Sequence, residues 1–297
     1  MPSNTMPIAS YLAEKKEVLD IHLKKIFGTK IHDLQHLVDT IHYSLLANGK
    51  RIRPILCLAT YEAFGNDSMN AIQIASSLEL IHCYSLIQDD LPCMDDDDLR
   101  RGQPTNHKKF GEAGALLASD ALQTESFNQI ASCPYFSTDI KNECIKILSY
   151  ASGYHGMVGG QVLDLIYQGK DITLEKLQTL HTLKTGKLIE ASILVGATLA
   201  GQDAKTKEHL AHFGQSIGLA FQIKDDVLDI EGGDKIGKDQ KSDIAKDKTT
   251  FPKVLGLEAS KREFEKQRAI AIDSLRKINA NTSILEKIAE FIIQRDH

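Results

Sequence analysis

The chain has 297 residues, of which 42% are hydrophobic and 25% charged, and it contains seven prolines and no tryptophan. This composition is ordinary for a globular protein and does not favour an intrinsically disordered one. The formal net charge of −5 excludes a broadly basic surface of the kind that binds nucleic acid.

The cysteines and the N-terminal residues indicate a compartment. Five cysteines, an odd number without a CxxC pair, predict neither a disulfide framework nor a zinc site. The first twenty residues lack the long apolar core of a secretory signal. No stretch approaches the roughly 20 apolar residues that cross a bilayer. We therefore expect a cytoplasmic protein without stable membrane insertion.

Apolar residues recur at helical spacing along nearly the whole chain, and alternating strand patterns are scarce. In chain order, helices are predicted near residues 8–27, 34–47, 70–91, 111–131, 139–153, 173–199, 205–231, 257–279 and 283–295. Residues 71–91 and 192–200 are apolar on nearly all sides, which indicates buried helices. The pattern predicts an all-α fold, and the absence of a linker-like segment favours one domain over residues 1–297.

Acidic residues are concentrated in the stretch SLIQDDLPCMDDDDLRRGQPT, residues 85–105, where six aspartates fall within residues 89–98. At an effective dielectric constant near 20, two carboxylates about 5 Å apart repel by roughly 3 kcal/mol. Cations or water must therefore relieve this repulsion. Helical spacing places His82, Ser85 and Asp89 on one face, and Asp95 follows after Pro92, which breaks the helix.

A second acidic cluster lies in FQIKDDVLD, residues 221–229. On a helix, the side chains at i, i+3, i+4 and i+7 share one face, and here they are Gln222, Asp225, Asp226 and Asp229. Carboxylates near a C-terminal helix end are disfavoured by the helix dipole. A functional role for both clusters is therefore the better explanation.

The donor set indicates which ion the clusters would bind. One acidic run alone would be most simply a solvated surface, but two runs favour a metal site. No register through residues 89–98 supplies the ligands and glycine of an EF-hand calcium loop. Oxygen donors without histidine or cysteine favour Mg²⁺, which bridges carboxylates to substrate phosphates. The sequence therefore predicts a phosphate ester as substrate.

Basic residues that would bind such a phosphate occur in small groups. They are Lys50, Arg51, Arg53, Arg100, Arg101, Lys184, Lys238 and Lys248. The stretch GGDKIGK, residues 232–238, also matches the start of a nucleotide-binding P-loop. Asp239 stands where that loop needs serine or threonine, and the stretch follows a predicted helix instead of a strand, so a P-loop is excluded.

Taken together, DDLPCMDDDDLRRGQPT and FQIKDDVLD, with GKRIRP upstream and KTG between them, resemble the trans-prenyl diphosphate synthases. The likeness is strongest to the bacterial members that make farnesyl diphosphate, and it runs from about Lys50 to Pro252. It implies a single large helical bundle of the isoprenoid synthase type around a central substrate cavity. It also implies a homodimer.

The resemblance implies a reaction as well. Isopentenyl diphosphate would condense head-to-tail with dimethylallyl or geranyl diphosphate, giving farnesyl diphosphate after the allylic diphosphate ionises. Mg²⁺ would be the cofactor, with about three ions per active site bridging both acidic motifs to the allylic diphosphate. Isopentenyl diphosphate would bind without metal.

Residue roles follow from the same resemblance, position by position. The implied metal ligands are Asp89, Asp95, Asp225, Asp226 and Asp229. The residues implied to bind the allylic diphosphate are Arg100, Lys184, Gln222, Lys238 and Lys248. Those implied to bind isopentenyl diphosphate are Lys50, Arg53, His82 and Arg101. Phe221 and Thr185 would lie near the reacting carbons, where Lys184, Thr185 and Gln222 would add stabilising dipoles.

Product length is expected to depend on Tyr84 and Ser85. Tyr84 precedes Asp89 by five residues, which is about 7.5 Å along a helix. In the resembling family, a bulky ring at this level is the floor that stops growth at fifteen carbons. Ordinary core packing of Tyr84 is the simpler interpretation, and both can hold together.

Three other functions share part of this chemistry or this fold. A geranylgeranyl diphosphate synthase would use the same chemistry with a deeper cavity, and Tyr84 argues against it. A terpene cyclase would share the fold, but its second metal site mixes asparagine, serine and glutamate, unlike DDVLD. A regulatory subunit of a heteromeric prenyl synthase would lack one or both acidic motifs, and this chain has both.

Overall fold

The structure, a computed structural model, describes residues 7–231 and 249–293. Its helices are α1 (Ile8–Ile26), α2 (Gln35–Leu45), α3 (Ile52–Ala63), α4 (Ile72–Asp89), α5 (Asn106–Phe110), α6 (Glu112–Ala131), α7 (Thr138–Ser152), α8 (Met157–Tyr167), α9 (Leu174–His181), α10 (Lys187–Leu199), α11 (Ala204–Glu231), α12 (Phe251–Leu255), α13 (Leu257–Arg276) and α14 (Ser283–Ile293). A π-helical turn, Thr182–Gly186, joins α9 to α10, and 3₁₀ turns cover His32–Leu34 and Ser68–Ala71. The predicted all-α class is confirmed.

The sequence did not predict helices α3, α5, α8 and α12, the π-helical turn inside the predicted segment 173–199, or the short hairpin. Helices α5 and α12 have only five residues each, too few to show a helical period. Helix α3 carries Pro54 in its first turn, where a helix tolerates proline although the residue normally indicates a break. Helix α8 carries Gly159 and Gly160 and therefore has a weak helix propensity. The strands β1 (Leu99–Arg100) and β2 (Gln103–Pro104) form an antiparallel hairpin too short to give an alternating pattern.

The chain divides into two compact units, Met1–Ile145 and Lys146–His297, with the boundary inside α7. The single domain over residues 1–297 stays a prediction. In the first unit, α4 packs against α1, α2, α3 and α6. Most of its residues are buried, including Leu78, Leu80 and Ile81. The prediction of a buried helix over residues 71–91 is confirmed within this unit.

In the second unit, α11 packs against α10, α13, α14 and the π-helical turn. Ile223 and Val227 of α11 form a small core with Leu177 and Phe251. Helix α10 is buried along most of its length, as its apolar composition predicts. Among the residues described, no helix is both long and apolar enough to cross a membrane.

Arg51 ties helices of the first unit together instead of facing a ligand. The residue is 3% exposed, and its backbone has a left-handed φ of 52° just before α3. Nε donates to Asp20 Oδ1 at 2.7 Å, and Nη1 donates to Glu79 Oε1 at 2.9 Å. Nη2 donates to the carbonyls of Leu45 and Ala47. The guanidinium that the sequence grouped with the phosphate-binding cations is therefore used inside the fold.

Replacing Arg51 tests this structural role. Arg51→Met is expected to lower the free energy of unfolding by about 3 kcal/mol, because it leaves the buried Glu79 carboxylate without this partner. Chemical unfolding followed by circular dichroism measures the change. Lys16→Met is the matched control, since Lys16 pairs with the same Asp20 at a half-exposed position. Its cost is expected to stay below about 1 kcal/mol, and equal losses in the two variants would contradict the assignment.

Candidate active site

The first acidic motif begins at the C-terminal end of α4. Asp89 is the last residue of that helix, and the chain then folds back, so that the Asp95 N–H donates to the Asp89 carbonyl at 2.9 Å. Both aspartate side chains are half-buried. The structure therefore brings together the two residues that the sequence predicted as metal ligands of this motif.

Asp90 orients Arg100, a pairing that the sequence analysis missed. Arg100 Nε lies 2.8 Å from both carboxylate oxygens of Asp90, and Nη2 lies 2.5 Å from Oδ1. Asp90 is only 3% exposed. Burial raises the pKa of Asp90, although Arg100 acts in the opposite direction. The pair fixes the guanidinium of Arg100, which lies on β1 next to the turn of the β1–β2 hairpin.

A cationic group surrounds His82 in the same unit. Burial and then the charges of Arg53, Arg101 and two further arginines hold the pKa of His82 well below its usual value. His82 is therefore neutral at pH 7, with two predicted diphosphate-binding arginines near it. Burial lowers the pKa of both arginines, and the negative charge of buried Glu79 acts to raise it and so favours their charged forms. Lys50 is exposed and follows Gly49, where a Cβ atom would lie 2.8 Å from Arg101 Nη1, so the four predicted residues lie in one region of the unit.

Tyr84 lies in the core of the first unit, 3% exposed on α4. Burial and then the charge of Asp89 raise the pKa of its hydroxyl. Ser85 is half-buried, and its hydroxyl donates to the carbonyl of His82 at 2.8 Å. Tyr84 is therefore a packed core residue whose hydroxyl pKa is also raised by the charge of Asp89 in the acidic motif.

The second unit contains a cavity of about 200 Å³. Its lining includes the predicted residues Lys184, Thr185, Gln222 and Asp226. Thr185 Oγ1 donates to Gln222 Oε1 at 2.8 Å, which joins the π-helical turn to α11. Hydroxyl, amide and carboxylate groups thus meet on one wall of the cavity.

The other predicted residues of this unit are placed differently. Phe221, Asp225 and Asp229 lie on α11 with half-buried side chains, outside the lining of the cavity. Lys238 and Lys248 lie outside the described residues.

Lys184 is held by Asp164, a residue that the sequence analysis did not assign. Its Nζ donates to Asp164 Oδ2 at 2.7 Å, and both side chains line the cavity. A Cβ atom on Gly160 would lie 2.3 Å from the backbone nitrogen of Lys184, so only glycine allows α8 to approach this closely. Asp164 follows Gly160 by four residues and so lies on the same face of α8. The paired glycines Gly159 and Gly160 are the sequence signal that points to this contact.

The donor chemistry of both motifs suits Mg²⁺. Within residues 7–231 and 249–293, no three histidine, cysteine or acidic side chains converge as a ready-made metal site. Mg²⁺ usually takes one or two protein carboxylates and completes its shell with water and substrate phosphate oxygens. The half-buried carboxylates of the two motifs fit that mode of binding better than a closed protein cage.

The chain is similar to known proteins over nearly its whole length. A family model described as polyprenyl synthetase matches residues 34–292, which is most of the chain. The chain belongs to the polyprenyl synthetase family. Within that family, it is 41% identical over 298 residues to the farnesyl diphosphate synthase of Bacillus subtilis, covering 99% of this chain and 100% of the relative. It is 42% identical to the geranylgeranyl diphosphate synthase of Cyanophora paradoxa, covering 98% of this chain and 97% of the relative.

A solved structure of the same kind supports the fold. The geranyltransferase from Helicobacter pylori, complexed with magnesium and isoprenyl diphosphate, matches with a TM-score of 0.82 and 32% identity. The match covers 97% of this polyprenyl synthetase chain and 97% of the geranyltransferase.

Proposed function

We infer that this polyprenyl synthetase is a farnesyl diphosphate synthase, a prenyltransferase that condenses isopentenyl diphosphate with dimethylallyl or geranyl diphosphate. The observation that carries this conclusion is the 41% identity, over nearly the full chain, to a bacterial farnesyl diphosphate synthase. Retention of both acidic motifs supports an active enzyme rather than a regulatory subunit.

Mg²⁺ is the proposed cofactor, and Asp89, Asp95, Asp225 and Asp229 are its proposed ligands. Two observations support this choice: the oxygen donors of the motifs and the magnesium in the complex of the Helicobacter pylori geranyltransferase. When bound, Mg²⁺ would absorb negative charge that develops on the departing diphosphate. Asp226 was predicted as a fifth ligand, and its contacts are considered separately below.

Cations held by neighbouring acidic residues would bind the allylic diphosphate. Arg100 is oriented by Asp90, and Lys184 is oriented by Asp164, so neither side chain needs to be ordered when the substrate binds. Arginine can grip phosphate oxygens with two parallel hydrogen bonds, while lysine adds a point charge. Lys238 and Lys248 join this set through the family resemblance alone.

Isopentenyl diphosphate would bind at the cationic group around His82. Arg53 and Arg101 lie near the neutral imidazole of His82, which can donate or accept a hydrogen bond without adding charge. Lys50 is exposed at the edge of this group, where it can reach a phosphate from solvent.

The chemical step follows from these charges. The bond between C1 and the bridging oxygen of the allylic substrate breaks, and the electron pair leaves with the diphosphate. The double bond of isopentenyl diphosphate attacks C1 and forms the new C–C bond. The departing diphosphate takes the proton lost from C2 of the isopentenyl unit. The amide oxygen of Gln222 and the carbonyls of Lys184 and Thr185 would stabilise the cation by their dipoles.

Product analysis tests this function. The protein is incubated with Mg²⁺, isopentenyl diphosphate and either dimethylallyl or geranyl diphosphate, and the products are dephosphorylated and measured by chain length. Farnesol from either starter, with no product in excess chelator, is the expected result. Absence of product with every starter would overturn the enzyme assignment.

A C20 product is the second candidate, favoured by the 42% identity to the Cyanophora paradoxa geranylgeranyl diphosphate synthase. Geranylgeraniol as the main alcohol in the same assay would replace the C15 assignment.

The proposed homodimer is checked on the same preparation by analytical ultracentrifugation, where a monomer at micromolar concentration would exclude it.

A further inference from the structure

The three aspartates of the second acidic motif are not equivalent. Asp225 and Asp229 are half-buried, and their spacing of four residues places them on one face of α11. Asp226 is only 4% exposed. Its neighbours on the helix, Ile223 and Val227, belong to the buried core that also contains Phe251. Asp226 therefore lies between the cavity wall and this core, in a motif whose other two carboxylates are more exposed.

Asp226 is hydrogen-bonded to the backbone at the start of α12. The Phe251 N–H donates to Asp226 Oδ2 at 2.8 Å, in a buried contact between residues 25 apart in the chain. Thr250 makes no side-chain cap at this helix end, and Pro252 has no N–H. The carboxylate of Asp226 thus satisfies a buried donor that nothing local satisfies, which is costly to leave unpaired.

His181 completes the contact from a third segment. Its ring stacks on the ring of Phe251, with centroids 5.5 Å apart and an interplanar angle of 17°. Its Nε2 lies 3.8 Å from Asp226 Oδ2. The cluster of His181, Asp226 and Phe251 therefore joins the end of α9, the middle of the second motif and the start of α12.

Each of these three segments also supplies part of the cavity wall. Lys184 and Thr185 follow His181, Gln222 precedes Asp226 by one helical turn, and Thr249 and Thr250 precede Phe251. A shift of Phe251 would displace the two threonines from the cavity and loosen the turn that carries Lys184. Small displacements of groups around a reacting centre lower rates strongly.

We propose that Asp226 is a positioning residue and not a ligand of Mg²⁺. Its hydrogen bond with the Phe251 N–H, called the clip below, holds the start of α12 against α11 and so fixes the cavity wall. Asp225 and Asp229 supply the metal-binding carboxylates of the second motif. The clip itself is independent of the proposed prenyl transfer, whereas its effect on turnover and on Mg²⁺ dependence rests on that function.

Asparagine substitutions separate the two roles. Asp226→Asn keeps an oxygen that accepts the Phe251 hydrogen bond but removes the charge that a hard cation requires. Asp226→Ala removes both. The matched variants Asp225→Asn and Asp225→Ala make the same changes one residue away.

Turnover and Mg²⁺ dependence are measured for all four variants. Asp226→Ala is expected to lose about 10–100-fold in kcat, as supporting residues around a metal site commonly do. Asp226→Asn is expected to recover most of that loss and to keep the parental half-saturating Mg²⁺ concentration. Asp225→Asn is expected to remain as impaired as Asp225→Ala. A raised Mg²⁺ requirement in Asp226→Asn, equal to that in Asp225→Asn, would overturn the proposal.

Hydrogen–deuterium exchange tests the clip without any turnover. Peptides covering residues 249–255 are expected to exchange faster in Asp226→Ala and at the parental rate in Asp226→Asn and Asp225→Ala. Parental exchange in Asp226→Ala would overturn the clip. An inactive parent protein would instead overturn the proposed function, and the exchange result would still decide the clip.

Discussion

Asp225→Ala and Asp89→Ala are each expected to lower kcat by about 100- to 1,000-fold, the usual cost of removing a group that stabilises transition-state charge. Both residues are proposed to bind the Mg²⁺ that absorbs charge from the departing diphosphate. The fold should survive, because both side chains are half-buried and Asp89 lies at a C-terminal helix end, where negative charge is unfavourable.

Asp98→Ala is the control for these variants. Asp98 belongs to the same acidic run, and its replacement changes the net charge by the same amount. Its side chain, however, is 75% exposed and pairs with Lys108 at 2.7 Å. Steady-state kinetics and circular dichroism on the three variants make the comparison. Near-parental turnover in Asp89→Ala or Asp225→Ala, or an equal loss in Asp98→Ala, would contradict the assigned roles.

Tyr84→Ala is expected to shift the products from C15 toward C20 and longer chains. The ring is buried on α4, five residues before the proposed metal ligand Asp89. Its removal leaves space at the level where a farnesyl chain would end, so further condensations can proceed. A loss of about 3 kcal/mol in stability should accompany the change, as is usual when a large buried side chain is truncated.

Tyr61→Ala separates this effect from a general loosening of the core. Tyr61 is also a buried tyrosine of the first unit, on α3 and packed against Phe136. It is expected to cost comparable stability while the product remains C15. The measurement is product chain length by gas chromatography of the alcohols. An unchanged product distribution in Tyr84→Ala would exclude a role for Tyr84 in limiting chain length.

The sequence predicted the fold well where local patterns were strong. Continuous apolar stretches indicated α4 and α10 as buried helices, and both are buried within their units. It missed α3 and α8, because proline and paired glycines obscured the helical period in them. Local propensity is overridden in both segments by packing, which a single sequence does not display.

The sequence predicted the charged residues of the candidate site but not the acidic residues that hold them in place. Asp90 and Asp164 hold Arg100 and Lys184, and both pairings join residues 10 or 20 positions apart. Helical spacing identifies neighbours only within about one turn, so such contacts follow from tertiary packing. Arg51 shows the opposite error, since a basic residue beside two predicted ligands is used inside the fold.

The most direct measurement compares geranyl diphosphate with 2-fluorogeranyl diphosphate as the allylic substrate at saturating isopentenyl diphosphate and Mg²⁺. Fluorine beside the allylic cation withdraws electrons and raises the barrier to ionisation but changes little in size. A kcat at least ~100-fold lower, equivalent to about 2.7 kcal/mol in the barrier, with similar competitive binding, is the predicted result. Equal turnover of the two substrates would contradict cleavage of the C–O bond ahead of C–C bond formation.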